Sequence, residues 1–223
     1  MRASHDGVMP TPQELAKRNV AINGTWSSLT DEGEATNLNL IHVSKVDATN
    51  VLELTYAEME GRRQLPLALA GLRHAVPGFE RSKLRNIGTA VGVRDTRKIL
   101  GRYNMTKQDV LGQARFPESS IGIYPEFVDG YAILLLGVSG RYYHVPYGIL
   151  VPKDEVHGLL VAGRCVAGDS TSHASLRNMS ACCCTGQGAG VAAAVAVRTG
   201  ASTVDVDVKL VQEELVRQGV RVR

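Results

Sequence analysis

The stretch EVHGLLVAGRCVAGDSTSHASLRNMSACCCTGQGAGVAAAVAVRTG, residues 155–200, decides the fold of this chain. Its apolar run at 159–163 predicts a buried strand that ends in glycine. A loop rich in glycine, serine and aspartate follows, and a helix of small residues covers 179–198. This order predicts that free backbone amides near 178–181, at the positive end of the helix, face an anionic ligand such as a phosphate.

Glycines inside the predicted helix need a compensating reason. Gly186, Gly188 and Gly190 each cost about 1 kcal/mol relative to alanine in a helix interior. We therefore expect another backbone or a ligand to approach them closely. Gly200 is predicted to end this helix, and Asp207 to begin the last one.

The first half of the chain carries weaker signals. Residues 1–35 are polar and irregular, typical of a leader or a loop. The alternation NLNLIHV at 37–43 predicts a strand. The sequence TYAE at 55–58 matches a capping box and predicts a helix start, and Pro66 is expected to kink or split that helix. Pro77 and the glycine after it should stop it.

Four further segments complete the secondary-structure prediction. Residues 88–104 contain two β-like stretches around a turn, and 106–109 resemble another helix start. The apolar run at 131–138 predicts a buried strand. A second β-like run follows at 141–150, where Pro146 disfavours an interior strand position.

Composition excludes several classes of protein. Of the 223 residues, 44% are hydrophobic and 21% charged, which is ordinary for a globular chain and excludes a disordered one. A net charge of +3 without basic runs predicts neither nucleic-acid binding nor membrane-surface binding. The start has no signal-peptide pattern, and no uninterrupted apolar run approaches 18 residues. We therefore expect a cytoplasmic protein that does not enter a membrane.

The cysteine pattern fits a reducing compartment. Three of the four cysteines are consecutive, at 182–184, so they cannot join separate elements by disulfides. There is no C-x-x-C, and neighbouring helical side chains diverge, so no zinc or other metal site is expected. The simplest interpretation is that they are small apolar residues on a tightly packed helix.

The residues alone leave the chemistry of the loop open. Asp169 could accept hydrogen bonds from sugar-like hydroxyls, and Arg177 could supply a fixed charge. Alternatively, Asp169 is a turn residue and Arg177 is paired at the surface. A serine-hydrolase reading, with Gly168, Asp169 and Ser170 beside His173, is weak because no aspartate–histidine pair follows it in the usual order.

Motifs in this stretch resemble the C-terminal flavin-binding segment of FAD-dependent oxidoreductases. Val-Ala-Gly-Arg-Cys at 161–165, Ser-x-Arg-x-Met at 175–179 and Thr-Gly-Gln-x-Ala-Gly at 185–190 occur in the family's order and spacing. The group that the chain resembles most is the bacterial family related to fumarate reductase and succinate dehydrogenase flavoproteins. The resemblance runs from about residue 36 to the end, with further similar stretches at 58–64, 92–111 and 143–153.

The resemblance implies an α/β or α+β fold with FAD as cofactor. A mixed-sheet substrate domain would cover 36–150, and the C-terminal part of a Rossmann-like FAD domain would cover 151–223. The residues expected to lie against FAD are Gly163, Arg164, Asp169, Arg177, Asn178, Met179, Gly186, Gln187 and Gly190.

The resemblance also implies a substrate side of the flavin. Arg94 and Arg97 would clamp an anionic substrate, and His144 or Tyr147 would transfer a proton. In the alternative interpretation, His144 is a structural residue of a strand-end loop, and Arg94 and Arg97 pair with Asp95 and its neighbours.

One departure from the family pattern affects the predicted function. The chain contains no strand–G-x-G-x-x-G–helix, the motif that seats the FAD pyrophosphate. Another chain is therefore expected to supply the dinucleotide-binding half, unless the sequence is a fragment or flavin binding has been lost. The predicted function is an FAD-dependent oxidoreductase, or one subunit of it, exchanging a hydride between flavin N5 and a small organic substrate. The alternative is a non-catalytic interaction protein derived from a flavoprotein.

Overall fold

The structure is a computed structural model that describes residues 28–29, 33–36, 38–130, 134–135, 139–153 and 156–223. The chain divides into two units, Met1–Val93 and Arg94–Arg223. Helices and short antiparallel strands make up the described residues, so the α+β member of the predicted pair of fold classes is confirmed.

The first unit contains one long helix. Strands β1 (Ser28–Leu29) and β2 (Ala35–Thr36) pair antiparallel, and helix α1 spans Val51–Ala75. Its buried residues recur every three or four positions, as one face of a helix requires: Ala57, Glu60, Gln64, Ala68 and Leu72.

The predicted start of α1 is wrong by one turn. Asn50 is the N-cap, because its side chain accepts a hydrogen bond from the Leu52 amide. Thr55 lies inside the helix, where its hydroxyl donates to the Val51 carbonyl. Pro66 does not split the helix, which ends before Pro77 as predicted.

Two predicted β segments outside the C-terminal stretch are wrong. Residues 38–43 form no strand, and position 37 lies outside the described residues. Residues 88–104 form no regular strand either, and their only ladder contact is an isolated bridge from Gly101 to Pro152. A segment of alternating apolar residues becomes a β-strand only when it forms backbone hydrogen bonds with a neighbouring strand. In the described part of the chain, no named strand pairs with either of these segments.

The second unit carries most of the named elements. Helix α2 begins at Thr106 with a complete capping box to Asp109, which confirms that prediction. The elements of this unit are α2 (Lys107–Leu111), β3 (Ser120–Pro125), β4 (Val128–Asp129), β5 (Leu134–Leu135), β6 (Tyr142–Pro146), 3₁₀ turns at Tyr147–Ile149 and Gly163–Cys165, α3 (Ser170–Leu176), α4 (Met179–Thr199) and α5 (Val208–Arg217).

Its sheets are small and antiparallel. Strands β3 and β6 pair with Tyr124 opposite Tyr143, and β4 pairs with β5. Pro146 ends β6 in a two-stranded sheet, in agreement with the expected non-interior position. Of the strand predicted at 131–138, the structure describes only positions 134 and 135, which are β5.

The strand predicted at 159–163 is wrong. Residues 159–162 form a loop and Gly163 begins a 3₁₀ turn. A hydrogen bond 2.9 Å long from the Val161 amide to the Leu150 carbonyl joins the loop to the rest of the unit. Every pair of named strands in the described part of the chain is antiparallel, so the mixed sheet is not found there, and the Rossmann-like domain stays a prediction.

Helix α4 forms the centre of the second unit. It begins after Asn178 and ends at Gly200, whose φ of +70° closes the helix in the left-handed region, as predicted. Asp207 caps α5 through the Lys209 amide, again as predicted. The core face of α4, defined by its buried residues, packs against β3 and α5 and consists of Ala181, Thr185, Gly188, Val191, Ala192, Val195 and Ala196.

Helix α4 is also long and apolar enough to cross a membrane, by length and composition alone. Its mean hydropathy is high because alanine and valine are frequent, although no single uninterrupted run is long. The core helix of a soluble protein passes the same test, so this property does not distinguish the two cases. The absence of a membrane partner stays a prediction.

Candidate functional site

The first turn of α4 presents backbone donors that no side chain caps. The Asn178 side chain donates to the Ala174 and Ser175 carbonyls instead of accepting from the helix. The first intrahelical hydrogen bond runs from the Cys182 amide to the Asn178 carbonyl, so the amides of residues 179–181 precede it. The first of these residues is 87% exposed. The helix start is therefore accessible to an electron-rich acceptor.

Two arginines meet on one carboxylate beside this turn. An Nη atom of Arg177 lies 2.9 Å from Asp129 Oδ2, and an Nη atom of Arg94 lies 2.6 Å from the same oxygen. Both arginines also donate to the Asp129 main-chain carbonyl. Because two positive groups share one negative group, the cluster keeps a surplus positive charge. Arg177 is therefore paired with Asp129, and the cluster of Arg94, Asp129 and Arg177 has a net positive charge that favours an anion.

A buried histidine lies one helical turn before Arg177. His173 is 3% exposed, and its Nε2 lies 3.1 Å from the Arg94 carbonyl oxygen and 3.4 Å from Asp95 Oδ1. Burial lowers the pKa of His173. The negative charge of Asp95 raises it by a smaller amount, and the positive charge of Lys98 lowers it slightly. Its Nε2 faces Arg94 and Asp95, so the arrangement differs from that of the weak serine-hydrolase reading.

Asp169 is a helix cap. One carboxylate oxygen accepts from the Thr171 and Ser172 amides, and the other accepts from the Lys107 amide at 2.7 Å. This agrees with the alternative that made Asp169 a turn residue. The segment predicted as a continuous loop therefore contains a helix, α3, because this cap satisfies its first amides.

A glycine turn brings a further arginine to the start of α4. Gly163 has a φ of +71°, and its amide donates to Thr185 Oγ1 at 3.0 Å. The exposed Arg164 follows it. Its positive charge is close enough to His173 and Cys182 to act on their pKa values in the lowering direction, although burial is the larger effect on both groups. The structure thus brings Gly163 and Arg164 to the same end of the helix as Arg177.

Three predicted cofactor residues lie farther along α4. Gly186 and Gly190 are about 10 and 16 Å beyond Met179 along the helix axis, from a rise of about 1.5 Å per residue. A Cβ at either glycine would meet no atom within 4 Å in the described part of the chain. Gln187 donates to the Gln218 side chain. They belong to the open face of α4, the exposed residues Met179, Cys183, Gly186, Gln187, Gly190, Ala193, Ala194 and Val197.

The predicted proton-transfer residues lie in the core. His144 Nδ1 accepts from the Phe116 amide at 3.1 Å, and burial lowers the pKa of His144. The Tyr147 hydroxyl donates to the Thr203 carbonyl at 2.6 Å, and burial raises the pKa of Tyr147 to about 12. These contacts support the structural alternative, and a catalytic role for either residue stays a prediction.

Arg97 differs from Arg94. It is exposed and has no ion-pair partner among the described residues, whereas Arg94 belongs to the cluster on Asp129. The structure therefore brings one of the two predicted anion-clamp arginines to the start of α4 and leaves the other at the surface.

Sequence reasoning missed Tyr124, Asp129 and His173. Tyr124 lies near Ser180 in the first turn of α4, and burial raises the pKa of Tyr124, with the Ser180 side chain acting in the opposite direction. Asp129 reaches the site only because β4 lies beside α3. The available signal was local: His173 and Arg177 are four residues apart, so they lie on one face of α3.

Two of the cysteines are partly buried thiols. Burial raises the pKa of Cys184 to about 11 and also raises the pKa of Cys182, whose Sγ donates to the Leu176 and Arg177 carbonyls. Cys183 is exposed on the open face. The interpretation as small helix residues therefore fits Cys182 and Cys184 better than Cys183.

The donor set of this site fits one part of FAD. The amides of the exposed residues Met179 and Ser180 and the nearby guanidinium groups suit an electron-rich ring edge or a phosphate. The printed sequence has no strand–G-x-G-x-x-G–helix to seat the pyrophosphate. The residues present therefore account for one side of a flavin site.

Comparison with known proteins gives a family for the whole chain. No curated protein and no solved structure matches it. The model of one family, described as FAD dependent oxidoreductase, matches residues 2–215, which is nearly the full length. The chain belongs to the FAD dependent oxidoreductase family.

Proposed function

We propose that this chain is a component of a flavin-dependent oxidoreductase that acts on a small organic substrate. The observation that carries the proposal is the uncapped first turn of α4 beside a surplus of arginine charge, in a chain of the FAD dependent oxidoreductase family. When bound, FAD would supply the redox chemistry, by exchanging a hydride at N5 with the substrate.

This chain's residues would bind and orient the flavin. The amides of Met179 and Ser180 would donate to an electron-rich edge of the ring, where negative charge develops on reduction. Arg177, held by Asp129, would add a fixed positive charge near the same edge. Gly163 leaves room at the helix start because it carries no side chain.

Arg94 would face the substrate. Its Nη2 contacts Asp129, and its side chain is 38% exposed, so an anionic group of the substrate could replace or share that contact. Arg97 would add a second, mobile charge from the surface. A carboxylate-bearing or otherwise anionic small molecule fits this charge surplus best.

The dinucleotide-binding half would come from another chain, giving a cytoplasmic assembly that involves neither nucleic acid nor a membrane. The open face of α4 supports this part of the proposal. Gly186 and Gly190 reduce helix stability without any compensating contact in the described chain. A groove of about 400 Å³ runs beside Gly190 between α4 and α5, lined in part by Ala194 and Glu214.

The test is FAD binding, measured by absorbance after excess flavin has been removed. The purified chain is measured alone and with proteins that co-purify with it. Retained bands at about 370 and 450 nm, a property of oxidised flavin, are expected for the complete site. Arg177→Gln should weaken binding at least about tenfold, because a charge-assisted contact is lost.

Arg221→Gln is the matched control, because Arg221 is an exposed arginine whose contacts in the described chain are the Arg223 main-chain oxygen and the Tyr142 ring, not the cluster on Asp129. It should bind FAD as the original chain does. Equal binding by the Arg177 and Arg221 variants would contradict a flavin site at the start of α4.

The second candidate is a non-catalytic interaction protein derived from a flavoprotein. The missing G-x-G-x-x-G motif is the observation that favours it. It predicts a chain that binds a partner yet carries no flavin in any complex. Recovery of flavin-free complexes only, without a chain that has the motif, would favour this candidate over the oxidoreductase.

A further inference from the structure

A three-way junction holds Arg94 in the second unit. Helix α3 contributes His173 and Arg177, four residues apart and therefore on one face. His173 Nε2 contacts the main chain of Arg94, and Arg177 contacts the same aspartate as the Arg94 side chain. Arg94 is thus held at its backbone and at its guanidinium by neighbouring positions of one helix.

The partners of His173 fix its tautomer. The Arg94 carbonyl and the Asp95 carboxylate both accept hydrogen bonds, so Nε2 must carry the proton. His173 Nδ1 is buried and has no hydrogen-bond partner in the described part of the chain. In the neutral ring with its proton on Nε2, Nδ1 is unprotonated. Protonation of Nδ1 is unfavourable, because the new buried N–H would have no hydrogen-bond acceptor in the described part of the chain.

Two contacts hold Arg94, the hydrogen bond from His173 to its carbonyl and the ion pair with Asp129, and the hydrogen bond from His173 is the stronger constraint. The ion pair of Arg94 with Asp129 joins side chains that are 38% and 37% exposed, and such pairs contribute little alone. The imidazole donor is buried, where loss of one partner leaves the other unsatisfied. The backbone at Arg94 is therefore set mainly from α3.

We propose that His173 is a positioning residue that fixes Arg94 next to Arg177 as a paired cationic site. The inference rests on the proposed function, since the pair would receive an anionic group of the substrate there. His173 itself touches neither the ligand nor the flavin. It acts through the Arg94 carbonyl, and Asp95 limits its rotation.

The first test is a nuclear magnetic resonance spectrum of the unaltered full chain without flavin. The ¹⁵N shifts of His173 should show the neutral tautomer with its proton on Nε2 near neutral pH. A ring protonated on Nδ1 alone would overturn the proposal, whatever the variants do.

The second test compares hydrogen exchange at the arginine side chains in two variants. His173→Leu should speed exchange at the Arg94 guanidinium about tenfold, because a buried donor is lost. His173→Gln places an amide donor near the Nε2 position, so Arg94 should exchange within about threefold of the original chain, a smaller change than loss of the bond would give. Arg177 should exchange alike in every variant, since its side chain is only 12% exposed and makes no contact with His173 in the described chain.

His157→Leu is the control, because exposed His157 contacts Ser202 and no residue of the junction. Unchanged Arg94 exchange in a folded His173→Leu chain would overturn the proposal, as would a Gln variant that behaves like the Leu variant. If the Leu variant does not fold, the tautomer and the Gln variant decide. These spectra need no flavin, so failure of FAD binding would contradict the proposed function without altering them.

Discussion

The core face and the open face of α4 use the same residue type for different purposes. On the core face, a Cβ on Gly188 would lie 2.6 Å from Ile121 Cδ1 and 3.1 Å from Ile121 Cβ, so only glycine lets the helix pack this closely on β3. On the open face, Gly186 and Gly190 have free space around them in the described chain. One glycine is explained by packing within the unit, and the other two are not.

The comparison separates stability from binding. A residue that serves the fold should change the free energy of unfolding when it is enlarged, whereas a residue that serves an absent partner should change association only. The two faces lie on one helix with one backbone geometry, so variants on each face are controls for the other.

The largest expected effect is on the core face. Gly188→Leu should lower the free energy of unfolding of the second unit by about 3 kcal/mol, because the new side chain has no space against Ile121. Urea unfolding followed by near-ultraviolet circular dichroism reports on this unit through its buried Tyr124 and Tyr143. Gly190→Leu should lose no stability and gain up to about 1 kcal/mol, because leucine favours the helix over glycine and its Cβ meets open space. Equal losses in the two variants would contradict the distinction between the faces.

The second prediction concerns the open face. Gly186→Leu should weaken FAD retention, or capture of the chain that supplies the dinucleotide half, at least about tenfold, since a close approach would be blocked. The free energy of unfolding should not fall, and it should rise by up to about 1 kcal/mol because leucine favours the helix over glycine. Binding is measured by absorbance after gel filtration.

Glu213→Leu adds the same side chain to an exposed position on α5 and should bind normally. Normal binding by the Gly186 variant as well would remove the open face from the proposed function. Unfolding of that variant would instead indicate that Gly186 serves the fold.

The same comparison explains what the sequence could predict. Helices α2 and α5 were predictable at their starts because caps are local signals: Thr106 with Asp109, and Asp207 before an apolar stripe. Gly200 likewise marks the end of α4 by its own backbone preference. Local chemistry over a few residues is sufficient for these boundaries.

The strands and the site were less predictable because they depend on distant partners. The apolar run at 159–163 resembles a strand but has no ladder in the described chain, while β3 and β6 pair across about twenty intervening residues. Arg94, Asp129 and Arg177 likewise meet from three separate segments. Motif resemblance indicated Arg94 and Arg177, yet no local pattern in the sequence singles out Asp129.

The third prediction is a pH dependence confined to the second unit. Burial lowers the pKa values of His144 and His173 below the ordinary 6.5, so the unfolded chain binds more protons than the folded one below that pH. The stability contributed by the neutral rings is therefore present above pH 6.5 and is lost as pH falls below it. The loss between pH 6.5 and 5 should be about 1 kcal/mol.

The control is a double variant, His144→Asn with His173→Gln, which keeps one acceptor and one donor without a titrating ring. It should flatten the profile in that window. Glu214 should not interfere, because its pKa, lowered to about 2 by Arg217, places its own loss of stability at more acidic pH. If the free energy of unfolding of the double variant still fell between pH 6.5 and 5 as it does in the original chain, groups other than His144 and His173 would cause the pH dependence.

The smallest effect is also the most discriminating, because it changes sign between the faces. Gly190→Ala should raise the free energy of unfolding by about 0.5–1 kcal/mol, since alanine favours the helix and its methyl group meets nothing. Gly188→Ala gains the same helix preference, but its methyl group would press on Ile121 Cβ, so the net change should be a loss of about 1 kcal/mol. Urea midpoints measured in parallel resolve the two signs. If Gly188→Ala raised the free energy of unfolding, Ile121 on β3 could move to make room for the methyl group. The close packing of α4 on β3 would then not be the reason for a glycine at position 188.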